Sequence, residues 1–193
     1  SDAKGFIQKQ FSMVEPAAKI LMGRVLVSEG NSQSALSVLG ELREEQMSDS
    51  AAFAMMEAGY DSTMQEGGKS SLLLRACQLV HQYGNSPMCV SPELPLEIAE
   101  FLRHAGENQM AISLIMNKGL HKTSAKGLSC LAESLRDTNQ TQLAMSQIDE
   151  WSDNNGLLME KALSSASPDG SSARLRLVAA RCAMDVKKYD LAR

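Results

Sequence analysis

The chain has 193 residues, of which 44% are hydrophobic, 22% charged and 4% aromatic, and its formal net charge is −4. No apolar stretch approaches the roughly 20 residues that a membrane-spanning helix needs, and 13 glycines and 5 prolines are too few for a collagenous or low-complexity chain. The charge is too balanced for a disordered acidic tail or a basic nucleic-acid-binding arm. We therefore expect neither direct membrane insertion nor nucleic-acid binding.

Apolar residues recur mostly at helical spacing, and strand-like alternation is nearly absent, so the sequence predicts an all-α fold. Pro16 opens the first helix, and Gly30 ends it in the left-handed conformation typical of helix C-termini. Ser32 is expected to cap the second helix. In chain order, the approximate helix pairs are predicted at 16–47, 50–84, 96–119, 124–151 and 157–193.

Local signals refine the later pairs. Ser50 and Ser70 are predicted caps of the two helices of the second pair, whose first helix carries Phe53, Met56 and Tyr60 at apolar positions. Three prolines within 85–95 predict an extended connector. The last pair is predicted to contain a short helix at 157–165, a loop at 167–172 and a final helix that begins near Ala173.

Small residues recur at a fixed spacing that predicts a structural repeat. Each unit has a turn residue, a small residue that precedes it, and an alanine five residues after it. Because small side chains let two helix axes approach to roughly 8–10 Å, this spacing predicts tight helical hairpins. The turn residues are Gly30, Gly106, Asn139 and Lys187; the alanines that follow are Ala35, Ala111, Ala144 and Ala192; the preceding small residues are Gly23, Ala99, Ala132 and Ala180.

This pattern resembles the tetratricopeptide repeat, in which small residues occupy repeat positions 8 and 20 and a large apolar residue occupies position 24. The matching residues are Gly23, Ala35 and Leu39, then Ala99, Ala111 and Ile115, then Ala132, Ala144 and Ile148. The aromatic residues usual at positions 4 and 11 and the closing proline are absent, and the second pair is out of register. The resemblance implies one domain over 1–193, built as a right-handed α-solenoid of antiparallel helix pairs.

The resemblance also implies a function. In that family the first helix of each pair lines a concave groove that holds a peptide or helix of a partner protein. We therefore expect a non-catalytic protein–protein interaction scaffold. The groove residues implied here are Arg24, Ser28, Glu100, Arg103, His104, Glu133, Arg136, Asp137 and Arg181.

Two other functions stay open at this stage. Similar helical repeats form regulatory or sensor segments of bacterial signalling and transcription proteins, where they bind an effector or self-associate. The chain could also belong to an enzyme whose catalytic domain lies outside this segment. The uncapped apolar pattern at the end of the sequence predicts a fragment of a longer protein, with a homodimer through the end repeat as an open alternative.

Chemistry-bearing motifs are weak. The histidines lack H-x-x-x-H spacing and the cysteines lack C-x-x-C spacing, so we expect no metal and no cofactor. Gly67–Ser70 lacks the first glycine of a phosphate-binding loop, because Thr63 stands there, and we interpret it as a helix–helix turn. No motif pairs a nucleophile with a base, so no catalytic residue is predicted.

Three of the four cysteines, Cys77, Cys130 and Cys182, lie within apolar helical patterns. They are predicted to act as small buried hydrophobic side chains. Unpaired thiols favour a reducing compartment, so the cytoplasm is preferred to the periplasm.

Overall fold

The computed structural model describes residues 15–66, 70–154 and 171–191. Within these ranges the secondary structure is helical and contains no strand. The prediction of an all-α fold is confirmed. The helices are α1 (Pro16–Ser28), α2 (Ser32–Gly40), α3 (Asp49–Glu66), α4 (Ser71–Asn85), α5 (Leu94–His104), α6 (Asn108–Lys118), α7 (Leu120–Thr123), α8 (Ala125–Asp137), α9 (Thr141–Asn154) and α10 (Ser171–Leu191). A short 3-10 helix at Glu44–Gln46 follows α2.

The chain divides into two compact units, one ending at Glu107 and the other beginning at Asn108. Unit 1 holds α1 to α5 and unit 2 holds α6 to α10. In unit 1, α1 packs against α2 and α3, α2 against α3 and α4, and α3 against α4 and α5. In unit 2, α8 packs against α6, α7, α9 and α10, and α9 packs against α10.

Three helix ends use the same left-handed turn. Gly30, Gly106 and Asn139 have φ values of 73°, 77° and 61°. At each end, the following amide donates to the carbonyl five residues earlier, at 2.9, 2.8 and 2.8 Å, which is the hydrogen bond of a Schellman motif. The predicted turns at these positions are confirmed. Lys187 is different, because α10 continues through it to Leu191 without a break; lysine gains nothing from the left-handed conformation that glycine and asparagine tolerate.

The small residues of the repeat pattern lie where the helices are buried. A Cβ placed on Gly23 would lie 2.6 Å from Leu39 Cγ, so α1 and α2 meet there at close range. The matching alanines and large apolar residues are also buried: Ala35, Leu39, Ala99, Ala111, Ile115, Ala132, Ala144 and Ile148. Ala180 departs from the pattern because it is exposed on α10.

Two predicted caps are wrong by one or two residues. Asn31, not Ser32, caps α2, since its Oδ1 accepts a hydrogen bond from the Ser34 amide at 3.3 Å. The Schellman turn at Gly30 brings Asn31 directly to the helix start, which leaves Ser32 inside the helix. At α3 the Ser48 hydroxyl accepts from the Ala51 amide at 3.3 Å, so this cap lies two residues before Ser50.

The prediction that Ser70 caps α4 is confirmed, because its hydroxyl accepts a hydrogen bond from the Leu73 amide at 3.1 Å. The connector after α4 is fixed at one end by Tyr83. Its hydroxyl lies 2.5 Å from Asp49 Oδ1 and 3.2 Å from the carbonyl oxygen of Met88. The connector is thereby held beside the start of α3.

The buried face of α3 differs from the prediction. Met56 is buried as expected, but Phe53 and Tyr60 are exposed. Small residues face the core in their place: Ala51, Ala52, Ala54 and Ala58. At Gly59 an added Cβ would lie 2.5 Å from Phe101 Cε2, so α3 and α5 also meet closely.

Three cysteines lie in the core as predicted, since Cys77, Cys130 and Cys182 are fully buried. Several predicted features lie outside the described residues. These are the segment 67–69, the short helix at 157–165, most of the loop at 167–172, and Ala192.

Candidate functional site

The most unusual surface of unit 1 is a stripe on α3. Phe53, Tyr60 and Met64 are 46%, 38% and 90% exposed, and exposed Glu57 lies among them. Separations of four, seven and eleven residues place all four on one face of a helix. We call these four residues the α3 stripe.

Tyr60 joins this stripe to α5. Its ring meets the Phe101 ring edge-on at a centroid distance of 5.3 Å and the His104 ring at 5.7 Å. Phe101 is fully buried, whereas His104 is exposed. The aromatic contact therefore runs from the core of unit 1 to its surface.

The outer face of α5 carries carboxylates beside this contact. Glu97 and Glu100 share the helical face of His104, at separations of seven and four residues, and Glu93 extends the row just before the helix. We call Glu93, Glu97, Glu100 and His104 the α5 edge. Arg103 lies next to it, with Nη2 at 3.4 Å from His104 Nε2.

On α1, the predicted residues Arg24 and Ser28 are exposed on one face together with Leu21. The Ser28 hydroxyl donates to the Val25 carbonyl at 2.7 Å, which satisfies part of its hydrogen-bonding capacity within the helix. Because α1 and α5 both pack against α3, α3 lies in contact with both of these helices in unit 1.

Two predicted groove residues of unit 2, Glu133 and Arg136, form ion pairs with α10. Glu133 on α8 receives two hydrogen bonds from Arg174 on α10, from Nε at 3.2 Å and Nη2 at 2.6 Å. Arg136 Nε of α8 lies 2.6 Å from Asp185 Oδ2 of α10. Both pairs are half-buried, and two-point arginine–carboxylate contacts are stronger than single surface ion pairs.

The remaining predicted residues, Asp137 and Arg181, are exposed on α8 and α10. Within unit 1 the structure thus gathers Glu100, Arg103 and His104 on α5, while Arg24 and Ser28 lie on α1. The sequence pattern does not predict the α3 stripe, because the second pair is out of register and helical periodicity places Phe53 and Tyr60 at apolar positions. The separation of Phe53 from Tyr60 by seven residues, with a glutamate between them, is the signal that could have found it.

Burial perturbs several titratable groups away from this surface. Desolvation lowers the pKa of His81 and His121 below their ordinary value, and for His121 the Ile115 carbonyl and Glu150 partly oppose the shift. Burial, followed by the hydrogen bond to Asp49, raises the pKa of Tyr83. Burial also raises the pKa of the Cys182 thiol, so this sulfur stays protonated at neutral pH.

Within residues 15–66, 70–154 and 171–191, no group of three or more His, Cys, Asp or Glu side chains is arranged to hold a metal ion. Over the same ranges, none of the helices combines the length and the apolar character that crossing a bilayer requires.

Comparison with known protein families, with curated proteins and with solved structures finds no match for this chain.

Proposed function

We propose that the chain is a non-catalytic scaffold of tetratricopeptide-like antiparallel helix pairs that binds a peptide or helix of a partner protein. The binding face would be formed by the first helices of the pairs in unit 1, which are α1, α3 and α5. The observation that carries this proposal is the run of exposed side chains along these three adjoining helices, centred on the α3 stripe.

The repeat architecture is supported by local geometry. The same Schellman turn recurs at Gly30, Gly106 and Asn139, each with a buried alanine five residues later. In unit 1, Lys19 near the start of α1 pairs with Glu41 just after α2, with 2.7 Å between Nζ and Oε2, as expected for an antiparallel pair. In unit 1, α1, α2 and α3 each pack against the next two helices along the chain, which is the pattern of stacked repeats.

Binding at this face is supported by the chemistry of its side chains. Exposed aromatic residues and methionine offer large apolar area, and such residues are enriched at the centre of protein interfaces. Arg24 on α1, and Arg103 with the α5 edge, supply polar groups on the two helices that pack against α3, and such groups suit an interface rim. We propose in addition that this face is concave and forms the groove that holds the partner.

The test begins with unbiased selection of peptides on the full chain from a display library, followed by titration of the selected peptides. Tyr60→Ser should weaken binding at least tenfold, since an interface anchor is worth about 2 kcal/mol or more. Gln78→Ser, on the exposed face of α4, is the matched control and should leave the Kd unchanged. Failure to select any peptide, or equal losses in the two variants, would contradict the proposal.

A further inference from the structure

We infer that the α3 stripe and the α5 edge of one molecule bind α10 of a second copy of this chain, in a head-to-tail contact. The inference deepens the proposed function, on which it rests, by naming the partner segment. It is carried by two exposed faces, one in each unit, whose apolar and charged residues complement each other.

The acceptor surface combines an apolar row on α3 with a row of carboxylates on α5, the helix packed against it. Phe53, Tyr60 and Met64 run over eleven residues, which is about 16 Å of helix. Exposed apolar residues that lie next to one another mark interaction sites more often than scattered ones do. The carboxylates of this surface are Glu57, within the apolar row of α3, and Glu93, Glu97 and Glu100 at the α5 edge, where Arg103 lies beside His104.

The donor face is the exposed side of α10, with the opposite arrangement. Leu177 and Met184 are 51% and 56% exposed and lie seven residues apart. Ala173 and Ala180 share their face, and the cations at its margins are Arg176, Arg181 and Lys187. Of the exposed residues between 173 and 187 on this helix, none is acidic. We call this surface the α10 face.

Five other residues of α10 are engaged inside unit 2. Leu175, Val178 and Cys182 are buried, and Arg174 and Asp185 pair with α8. The α10 face is therefore the surface of a helix that is fixed in place, and a partner would meet it without a folding step. Small alanines between the larger apolar residues leave room for the side chains of an opposing helix.

Complementarity selects a head-to-tail contact over a symmetric one. Two α10 faces placed against each other would bring arginines and lysines together, and two acceptor faces would bring glutamates together. A contact between unlike faces pairs glutamates with cations and buries both apolar stripes. Such an interface is heterologous, so further copies can add to it until the assembly closes on itself.

The test is the size of the full chain in solution, measured by sedimentation velocity over a range of concentrations and at low and high salt. We expect association that rises with concentration and weakens as salt screens the charge pairs. A monomer at every concentration and at both salt levels would overturn the inference, whereas the peptide binding of the proposed function would be unaffected.

Charge-reversal variants sharpen the test. Glu93→Arg with Glu97→Arg on one chain, and Arg181→Glu with Lys187→Glu on another, should each weaken self-association at least tenfold. Mixing the two variant chains should restore association, because each then meets a partner of opposite charge. Ser37→Arg with Gln78→Arg, on exposed positions of α2 and α4, is the control and should associate like the unchanged chain.

The variants also identify other arrangements. Loss of association only in the α10 variants would indicate a symmetric contact between two α10 faces and would overturn the inference. The same conclusion would follow if the mixture stayed as dissociated as its components. Circular dichroism at matched concentrations verifies that each variant remains folded, and since none of the four substituted side chains is buried we expect no loss of helix.

Discussion

The polar residues that the sequence predicts to line a groove lie in different surroundings in the two units. In unit 1, α3 exposes Phe53 and Tyr60, and the Tyr60 ring links α3 to α5 through Phe101 and His104. In unit 2, the corresponding polar residues of α8 and α10 bind each other through Glu133–Arg174 and Arg136–Asp185. A residue predicted to line a groove therefore attaches a neighbouring helix where that helix carries the complementary charge, as Glu133 and Arg136 do.

The largest expected effect comes from the glycines at which helices meet. A Cβ on Gly127 of α8 would collide with the carbonyl oxygen of Leu120, a backbone atom that cannot turn aside. We expect Gly127→Ala to lower the free energy of unfolding by about 3 kcal/mol. In Gly59→Ala the collision is with the Phe101 ring, which can shift, so we expect a loss of about 1–2 kcal/mol.

Gly40→Ala is the control for both substitutions. Its added Cβ would lie 3.6 Å from Arg75 Cγ, which is ordinary contact, so the variant should be neutral or slightly stabilised. Urea denaturation of the full chain measures all three. Gly127→Ala with the stability of the unchanged chain would contradict the close approach of α7 and α8.

The next effect concerns the ion pair between Glu133 of α8 and Arg174 of α10 in unit 2. A double-mutant cycle with Glu133→Gln and Arg174→Gln should give a coupling energy of about 1 kcal/mol, because the pair is two-pointed but still partly exposed to solvent. Arg181→Gln, on the exposed side of the same helix, should change stability by less than about 0.5 kcal/mol. A coupling energy near zero would remove the contrast between the two units.

Substitutions at the shared left-handed turn should change stability in opposite directions in the two units. A Cβ added to Gly30 would meet no atom within 4 Å, so Gly30→Ala adds only the strain of a left-handed alanine, about 1 kcal/mol of destabilisation. Asn139→Gly relaxes the same conformation in unit 2 and should be neutral or stabilising by roughly a few tenths of a kcal/mol. Thermal unfolding of both variants compares the signs directly. Destabilisation by Asn139→Gly would show that the asparagine side chain contributes more than its backbone tolerance.

The smallest effect is a pH dependence in unit 2. Because burial lowers the pKa of His121 in the folded chain, the unfolded chain binds a proton there first, at about pH 6.5. The contribution of His121 is present above that pH and is lost as the pH falls through the unfolded value towards the lower folded value. His81 acts with the same sign in unit 1.

His121→Gln should therefore show a shallower loss of unfolding free energy between about pH 7 and about pH 5 than the unchanged chain does. Gln142→Ser, at an exposed and non-titrating position of α9, is the control and should keep the slope. An equal slope in His121→Gln would contradict the burial of a neutral imidazole.

Local rules account for what the sequence predicted well. Gly30, Gly106 and Asn139 end their helices because few residues tolerate a positive φ, and Ser70 caps α4 through a hydrogen bond three residues away. Each of these signals lies within about one turn of helix, so it can be recognised from neighbouring residues in a single sequence. The small residues follow instead from their spacing along the chain, and those of the three matched triplets are all buried.

Contacts between distant residues account for what could not be predicted. Glu133 and Arg174 are separated by 41 residues, and nothing in the local pattern distinguishes them from exposed charges. The exposure of Phe53 and Tyr60 depends on alanines that fill the core side of α3, and on Phe101 of α5 at Gly59. The apolar residues of α3 lie on several of its faces, so their periodicity alone does not say which face is buried.

The contrast between the two units is tested most directly by mapping backbone amide chemical shifts of the full chain as a selected peptide is added. We expect the large shifts in α1, α3 and α5, with the greatest near Tyr60 and Glu97, and little change in α8 around Glu133 and Arg136. Shifts centred on α8 with an unchanged α3 would contradict the account.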